Sequence, residues 1–168
     1  MEGVYVWYAV HTASRAEKKV KERLDRIGVE NYLPLKTEYR VWCSRKKKIS
    51  VPLIAGYIFV CIRESDVVSV LNIPGVLAFL RENGKAVGIP EMQIRRLKFV
   101  EDQTDEPIEV SFEEIPKGAW VEIVKGKLAG FQGEMVEVKD KYKIVLRLDR
   151  LGCAMLTVSA SCVKRMKI

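Results

Sequence analysis

Val51-Pro52-Leu53-Ile54-Ala55-Gly56-Tyr57-Ile58-Phe59-Val60 is the stretch around which the rest of the chain is organised. It reads as an apolar strand with two interruptions. Pro52 has no N–H to give a ladder, so it belongs at a strand start, an edge or a bulge. Gly56 marks a bulge or a close approach of backbone. Beyond Gly56 the side chains alternate, with Tyr57, Phe59 and Cys61 on one face and Ile58, Val60 and Ile62 on the other. Both faces are apolar, which places the strand centrally in its sheet or under cover on each side. The aliphatic face suits packing on helices. The aromatic face is either a second core face or a surface that awaits a partner protein.

On the N-terminal side, Val4 to Val10 reads as a buried strand rich in aromatic and β-branched residues. Ser14-Arg15-Ala16-Glu17 fits a capping box, with a hydroxyl at the cap and a carboxylate three residues on. Ala16, Val20, Leu24 and Ile27 then recur at helical spacing, and Gly28 stands where a glycine would end the helix. From Tyr32 the period becomes two. Leu33, Leu35, Thr37, Tyr39 and Val41 share one face, against Tyr32, Lys36, Glu38, Arg40 and Trp42 on the other. Arg45, Lys46, Lys47 and Lys48 follow at an expected hairpin tip, with the organising stretch as the return strand. Adjacent like charges repel, so this tip gains from a nearby polyanion. A solvated loop is the plainer alternative.

Downstream, Asp66–Asn72 predicts a short helix closed by Pro74-Gly75, and Val76–Leu80 a strand. Asn83-Gly84 is a hairpin turn signal, because both residues tolerate positive φ. Pro90 stands at the start of a helix that carries Ile94, Leu97 and Val100 on one face. The first hundred residues therefore read β-α-β-β-α-β-α, an α+β sandwich of ferredoxin-like or RNP-like type. Residues 116–168 read as short strands punctuated by glycines, Trp120–Val124, Gly133–Val138, Tyr142–Leu148, Ala154–Val158 and a tail near Val163. That pattern predicts a small SH3-like β-barrel. So small a core requires Trp120, Ile123, Val136, Val138, Val145 and Leu148 to be buried.

The charge distribution supports two bodies. The net charge of +7 resolves into +8 over residues 1–100, −7 over residues 101–114 and +6 over residues 115–168. Two basic bodies joined by an acidic connector are each suited to sit near nucleic acid. The expected division is 1–102, an acidic linker 103–115, and 116–168. Cys43, Cys61, Cys153 and Cys162 form no CxxC pair, and His11 is the single histidine, so metal-ligand spacing is absent and free thiols are expected. The start of the chain has no secretory pattern and no stretch reaches the length of a membrane helix, so a cytoplasmic protein without membrane contact is expected. Neither a P-loop, a GxSxG elbow, a HExxH nor a paired-carboxylate signature occurs, so neither an enzyme nor a cofactor is expected.

Trp7-Tyr8-Ala9-Val10-His11-Thr12, the helix with Arg15 and Glu17, and Pro52 to Val60 together resemble the N-terminal (NGN) domain of NusG-type transcription elongation factors. Val121 to Gly133, with Gly126, Gly130 and Gly133, resembles a KOW motif. Both motifs, in this order, cover nearly the whole chain. The resemblance implies a factor whose first domain docks on the clamp coiled coil of the RNA polymerase large subunit and suppresses pausing or termination. It also implies a KOW domain that recruits a further partner, ribosomal or a termination factor. Carried over by motif, the polymerase patch maps to His11, Ile54, Tyr57 and Phe59. Ile54 is out of phase with Tyr57 and Phe59 unless a bulge at Gly56 resets the register, and such a bulge is expected. Arg45 to Lys48 match the hairpin that in this family lies near DNA, with nascent RNA also close by in the elongation complex.

Two departures from the family pattern imply a specialised paralogue of the kind that antiterminates surface-polysaccharide operons. Leu53-Ile54-Ala55-Gly56-Tyr57 replaces the usual Leu-Phe-Pro-Gly-Tyr, and the Asp149–Cys153 loop lacks a phenylalanine. The competing reading is an RNA- or ribosome-binding KOW protein. It would need exposed aromatics at RNA-stacking spacing on the sheet, and no RNP1-like string is present.

Overall fold

The computed structural model describes residues 3–167. The chain is α+β and divides into two compact units, Met1–Ile94 and Arg95–Ile168. The elements of the first are β1 (Val6–Thr12), α1 (Glu17–Arg26), β2 (Glu30–Tyr32), β3 (Leu35–Trp42), β4 (Arg45–Pro52) and β5 (Tyr57–Ile62). Next come α2 (Val67–Leu71), β6 (Val76–Phe79), β7 (Arg81–Glu82), β8 (Lys85–Ala86), β9 (Gly88–Ile89) and the start of α3 (Glu91–Gln103).

The main sheet of the first unit is antiparallel. Strand β1 runs through its middle, paired with β5 on one side and with β6 and β9 on the other, and β2 lies outside β5. Ile58, Val60 and Ile62 point to the same side as Tyr8 and Val10. There they join Val20 and Leu24 of α1, Val70 of α2 and Phe79 in one buried cluster. Each such side chain removed from water contributes roughly 1.5–3 kcal/mol. The aliphatic face of the organising strand thus packs on helices, as its alternation predicts.

The aromatic face is closed rather than open. Phe59 and Ala9 are fully buried and Trp7 is 5% exposed. The face reaches solvent at its two ends, where His11 is exposed beside a half-buried Tyr57 and, at the other end, Cys61 is half-buried.

Several local expectations are corrected. The capping box does not form: α1 is capped at Ala16 with no side-chain bond, because Arg15 at φ 60° puts a turn between Ser14 and the helix. Ile27 is exposed, since it falls beyond the last helical turn, and Val29 packs on the core instead. Gly28 does end the helix, at φ 73°. Val4 and Tyr5 are exposed, and the strand begins at Val6.

The largest difference concerns the return strand. Residues 51–60 are not one strand but the end of β4, a turn over residues 53–56, and the start of β5. Gly56 lies at φ 83° and makes no bulge. The Tyr57 N–H instead closes a turn on the Ile54 carbonyl at 3.2 Å. A left-handed glycine reverses the chain here rather than adding one residue to a continuous ladder. The expected resetting of Ile54 by a bulge therefore falls away.

Strands β3 and β4 form a two-stranded ribbon of their own, with Leu35 opposite Pro52 and Trp42 opposite Arg45. Its two-residue tip is Cys43-Ser44, both at positive φ, as a primed turn requires. Arg45 to Lys48 therefore belong to the return strand and not to the tip. At the base, Leu53 N–H donates to the Pro34 carbonyl at 2.8 Å, and Lys18 Nζ donates to the Ser50 carbonyl at 2.5 Å. Asn83 and Gly84 turn the short β7–β8 hairpin as expected, at φ 51° and 79°.

In the second unit β10 (Ile108–Ser111), β11 (Ala119–Ile123), β12 (Gln132–Val138), β13 (Lys141–Leu148), β14 (Gly152–Val158) and β15 (Val163–Arg165) follow the remainder of α3. They form one antiparallel sheet in the order β10-β14-β13-β12-β11-β15. Val121, Ile144, Leu146 and Leu156 are buried, together with the expected Ile123, Val145 and Leu148. Val136 and Val138 are half-buried and Trp120 is 37% exposed. Trp120 and Ile123 are three apart and so cannot share a face of one strand. Arg96 of α3 instead lies over the Trp120 ring at 5.3 Å and over Phe131 at 4.8 Å, a cation–π arrangement.

The acidic stretch expected as a linker over 103–115 is partly structured. Helix α3 runs to Gln103, and β10 pairs with β14 from Ile108–Leu156 to Ser111–Cys153. Glu109 on this strand pairs with the buried Lys143, and Asp105 with Lys127. The acids thus meet cations of their own unit. Elsewhere in the sheet Arg147 grips Glu134 in a two-pronged pair at 2.7 and 2.9 Å, and Gly118 N–H adds a bond at 2.7 Å. Chiefly through the Arg147 bonds, the Glu134 carboxyl is held below its ordinary range.

Candidate functional site

The residues expected at the docking patch separate by depth. Strand pairing sets His11 opposite Tyr57, with their ring centroids 5.2 Å apart, at the open end of the β1–β5 ladder. Phe59 lies two residues deeper, fully buried, and the Tyr32 ring stacks on it at 6.2 Å. Ile54 is 2% exposed. His11, Tyr57 and Tyr32 therefore supply what surface the patch has, while Phe59 and Ile54 lie beneath it. Tyr32 is a member that residue-by-residue reading passed over. The pairing of β2 with β5 brings it to the patch, and the sequence carries no signal of that pairing.

A second missed residue holds the patch in place. Glu17 is 6% exposed, and its Oε1 accepts the Gly56 N–H at 2.8 Å. The Gly56 carbonyl in turn accepts Thr12 N–H at 2.8 Å. These two bonds tie the 53–56 turn to the end of β1 and the start of α1, beside His11. A side chain at 56 would meet the His11 imidazole at 3.5 Å, an ordinary contact, but φ of 83° favours glycine.

The ribbon is the second candidate surface. Residues 35–52 hold Lys36, Arg40, Arg45, Lys46, Lys47 and Lys48 against one acid, Glu38. Glu38 already faces Lys36 at 3.3 Å and Arg40 at 3.5 Å. Residues directly opposite in an antiparallel pair share a face. Tyr39, Val41, Lys46 and Lys48 therefore occupy one face of the outer ribbon, and Arg40, Trp42, Arg45 and Lys47 the other. All eight are exposed.

In the second unit Gly126 and Gly130, at φ 89° and 92°, shape the connection from β11 to β12, and Gly133 lies buried in β12 opposite Val121. Gly130 N–H donates to the Ile123 carbonyl at 2.7 Å and closes that connection. The next ring, Phe131, stacks on Phe99 with centroids 5.7 Å apart and planes within 7°. Beside the Asp149–Cys153 loop is a cavity of about 420 Å³, bordered by Phe112, Arg147, Arg150 and Leu151 among others. Phe112 is 67% exposed and supplies an aromatic at a loop that has none in its own sequence. Burial pushes the Cys153 thiol up from its ordinary value, which suits a packed side chain rather than a nucleophile. Among the described residues no cluster of His, Cys, Asp and Glu is arranged to hold a metal, and no helix is long and apolar enough to cross a membrane.

Comparison with known proteins agrees with this architecture. Residues 5–98 match the NusG family, described as transcription termination factor nusG. The transcription termination/antitermination proteins NusG of Staphylococcus carnosus (strain TM300) and Staphylococcus aureus (strain N315) are 29% and 28% identical over 162 residues, covering 89% of this chain and 89% of each relative. A solved structure titled "Domain interaction in Thermotoga maritima NusG" matches 97% of this chain and 98% of its own at a TM-score of 0.54 and 20% identity, a likeness of fold. Since the family match alone spans more than half of the sequence, the chain belongs to the NusG family.

Proposed function

We propose that this protein is a transcription elongation and antitermination factor that docks on RNA polymerase through its first unit and recruits a further partner through its second. The observation that carries the docking surface is the His11–Tyr57 ring pair at the open end of the β1–β5 ladder, backed by Phe59 and fixed by the Glu17–Gly56 bond. Aromatic anchors held by a rigid floor are the chemistry of interface hot spots. Binding the clamp in one conformer shifts the polymerase population toward that conformer and away from paused states. The basic ribbon lies near nucleic acid in the elongation complex, where its cations gain from phosphates. Isoleucine at position 54 and a 149–153 loop without phenylalanine support a specialised paralogue. The surface around Phe112 and that loop is where a second partner binds.

The test is capture of core RNA polymerase from the native host by the full chain and by a His11→Ala/Tyr57→Ala variant. Both substituted side chains reach the surface, so the fold is retained and the variant should lose capture. Equal capture by the two proteins would remove this patch from the interface. Capture by neither would replace the proposal with an RNA- or ribosome-binding protein.

A further inference from the structure

Strand β10 is the least anchored of the longer strands in its sheet. None of its four residues is buried, whereas β14 beside it is buried from Cys153 to Leu156. Pro107 precedes it and the exposed Phe112 follows. An element with so little buried apolar surface opens at low cost. The edge it occupies is, by contrast, built to hold a strand. At one end Gly152 leaves room for a neighbouring backbone, since a Cβ there would stand 2.3 Å from the Ser111 carbonyl oxygen. Further along, Lys143 of β13 is 7% exposed, and its ammonium reaches past β14 to donate to the Glu109 carboxylate. A lysine so far from water requires an acidic partner. The Glu109 side chain that meets it is 55% exposed and stands on the outermost strand. A fixed element would supply a permanent carboxylate, but one on a detachable strand can be exchanged for another.

We propose that β10 is a resident stand-in for a strand from another protein. An extended acidic segment of that partner displaces β10, pairs antiparallel with β14 and sets a carboxylate on Lys143 in place of Glu109. This rests on the reading that the second unit recruits a partner near Phe112 and the 149–153 loop, and it names the form of the segment recruited. The edge leads to that surface: Gly152 and Cys153, where β14 begins, and Phe112, just after β10, border the cavity of about 420 Å³. A strand longer than β10 on the same course places its next side chains there. Ladder bonds supply affinity whatever the sequence, and the Lys143 slot supplies the acidic preference. Because β10 is tethered, it competes at a roughly millimolar effective concentration, so a partner must add contacts beyond those of β10 to displace it.

The probe is a labelled peptide, Asp-Glu-Pro-Ile-Glu-Val-Ser-Phe-Glu, which copies residues 105–113. Fluorescence anisotropy follows its binding to the full chain as wild type, as Glu109→Pro/Val110→Pro, and as that variant with Lys143→Met. Two adjacent prolines remove whichever N–H faces β14, and circular dichroism verifies the fold. The peptide should bind the proline variant at least about tenfold more tightly than the wild type. Glutamine for the peptide's central glutamate, or Lys143→Met, should each weaken binding about tenfold, and both together no more than either alone. In the wild type, amide hydrogen exchange should show Glu109 to Ser111 opening well before β13, a readout that stands even if the proline variant fails to fold. Amides of β10 that exchange only with the whole sheet would overturn the proposal. So would a folded proline variant that binds no peptide, or binds it without regard to the central glutamate and Lys143. Equal binding to wild type and proline variant would put the peptide on another edge and overturn displacement. Capture from host extract separates the inference from the reading beneath it. A protein lost by Phe112→Ala but held equally by wild type, Lys143→Met and the proline variant would keep the recruiting surface and overturn strand exchange. Capture of nothing by any of them would overturn both.

Discussion

Glu17 is where a single side chain decides whether the patch exists. Its carboxylate sits below the surface and receives the Gly56 N–H, so Glu17→Ala would leave a donor without its partner in the turn that borders His11. A donor stranded in this way costs about 1–3 kcal/mol. Chemical denaturation should register a loss of that size for Glu17→Ala, and a smaller one for Glu17→Gln, whose carbonyl oxygen still accepts. Equal stability of the alanine variant would mean that the turn holds itself. The sequence does mark Glu17, but as the last residue of a capping box. The local pattern Ser-x-x-Glu is satisfied by a partner 39 residues away in sequence, which no local rule reaches. Phe59 shows the converse. Its place on the face of Tyr57 is readable from alternation, whereas its depth depends on what covers the sheet and is not.

Among elements, β10 is the one that composition conceals. Seven acids without a cation make residues 101–114 read as a tether, and that average hides the alternation Ile108-Glu109-Val110-Ser111. Glu109 is tolerated on a strand because Lys143 faces it from β13. The fit of β10 beside β14 is also close in backbone terms. A side chain at Gly152 would meet the Ser111 carbonyl oxygen at 2.3 Å, and its φ is 115°. Gly152→Ala should therefore destabilise the sheet by more than about 1 kcal/mol, visible as a lowered midpoint in thermal or denaturant unfolding. A midpoint equal to the wild type would argue that β10 leaves the sheet in solution. Strands with a strong period and glycine-marked ends, β11 to β14, were by contrast legible nearly to the residue. So was the Asn83-Gly84 hairpin, whose turn chemistry leaves little choice.

At the scale of the whole molecule, the charge map and the change of pattern near residue 115 reveal two bodies. The chain, however, divides between Ile94 and Arg95, within α3. The reason is that a helix is read from its own periodicity, while membership of a unit is decided by contacts such as Arg96 with Trp120 and Phe131. A fragment 116–168, cut at the composition boundary, lacks β10 and exposes the edge of β14. A fragment 104–168 retains that strand. The shorter fragment should unfold at lower denaturant and aggregate sooner, because an unpaired edge recruits other strands. Equal midpoints would make β10 an ornament of the second unit rather than part of it.

The ribbon also acts as a ruler. Its eight facing pairs, at roughly 3.3 Å per residue, carry the Cys43-Ser44 tip some 25 Å from the base at Leu35 and Pro52. Nothing in the buried cluster lies beyond Leu35. Two facing pairs can therefore be removed or inserted without turning any side chain to the opposite face, changing the reach by about 7 Å while the core stays as it is. The arm can therefore differ in length, and with it the distance from the His11–Tyr57 pair to the tip, at no cost to the core.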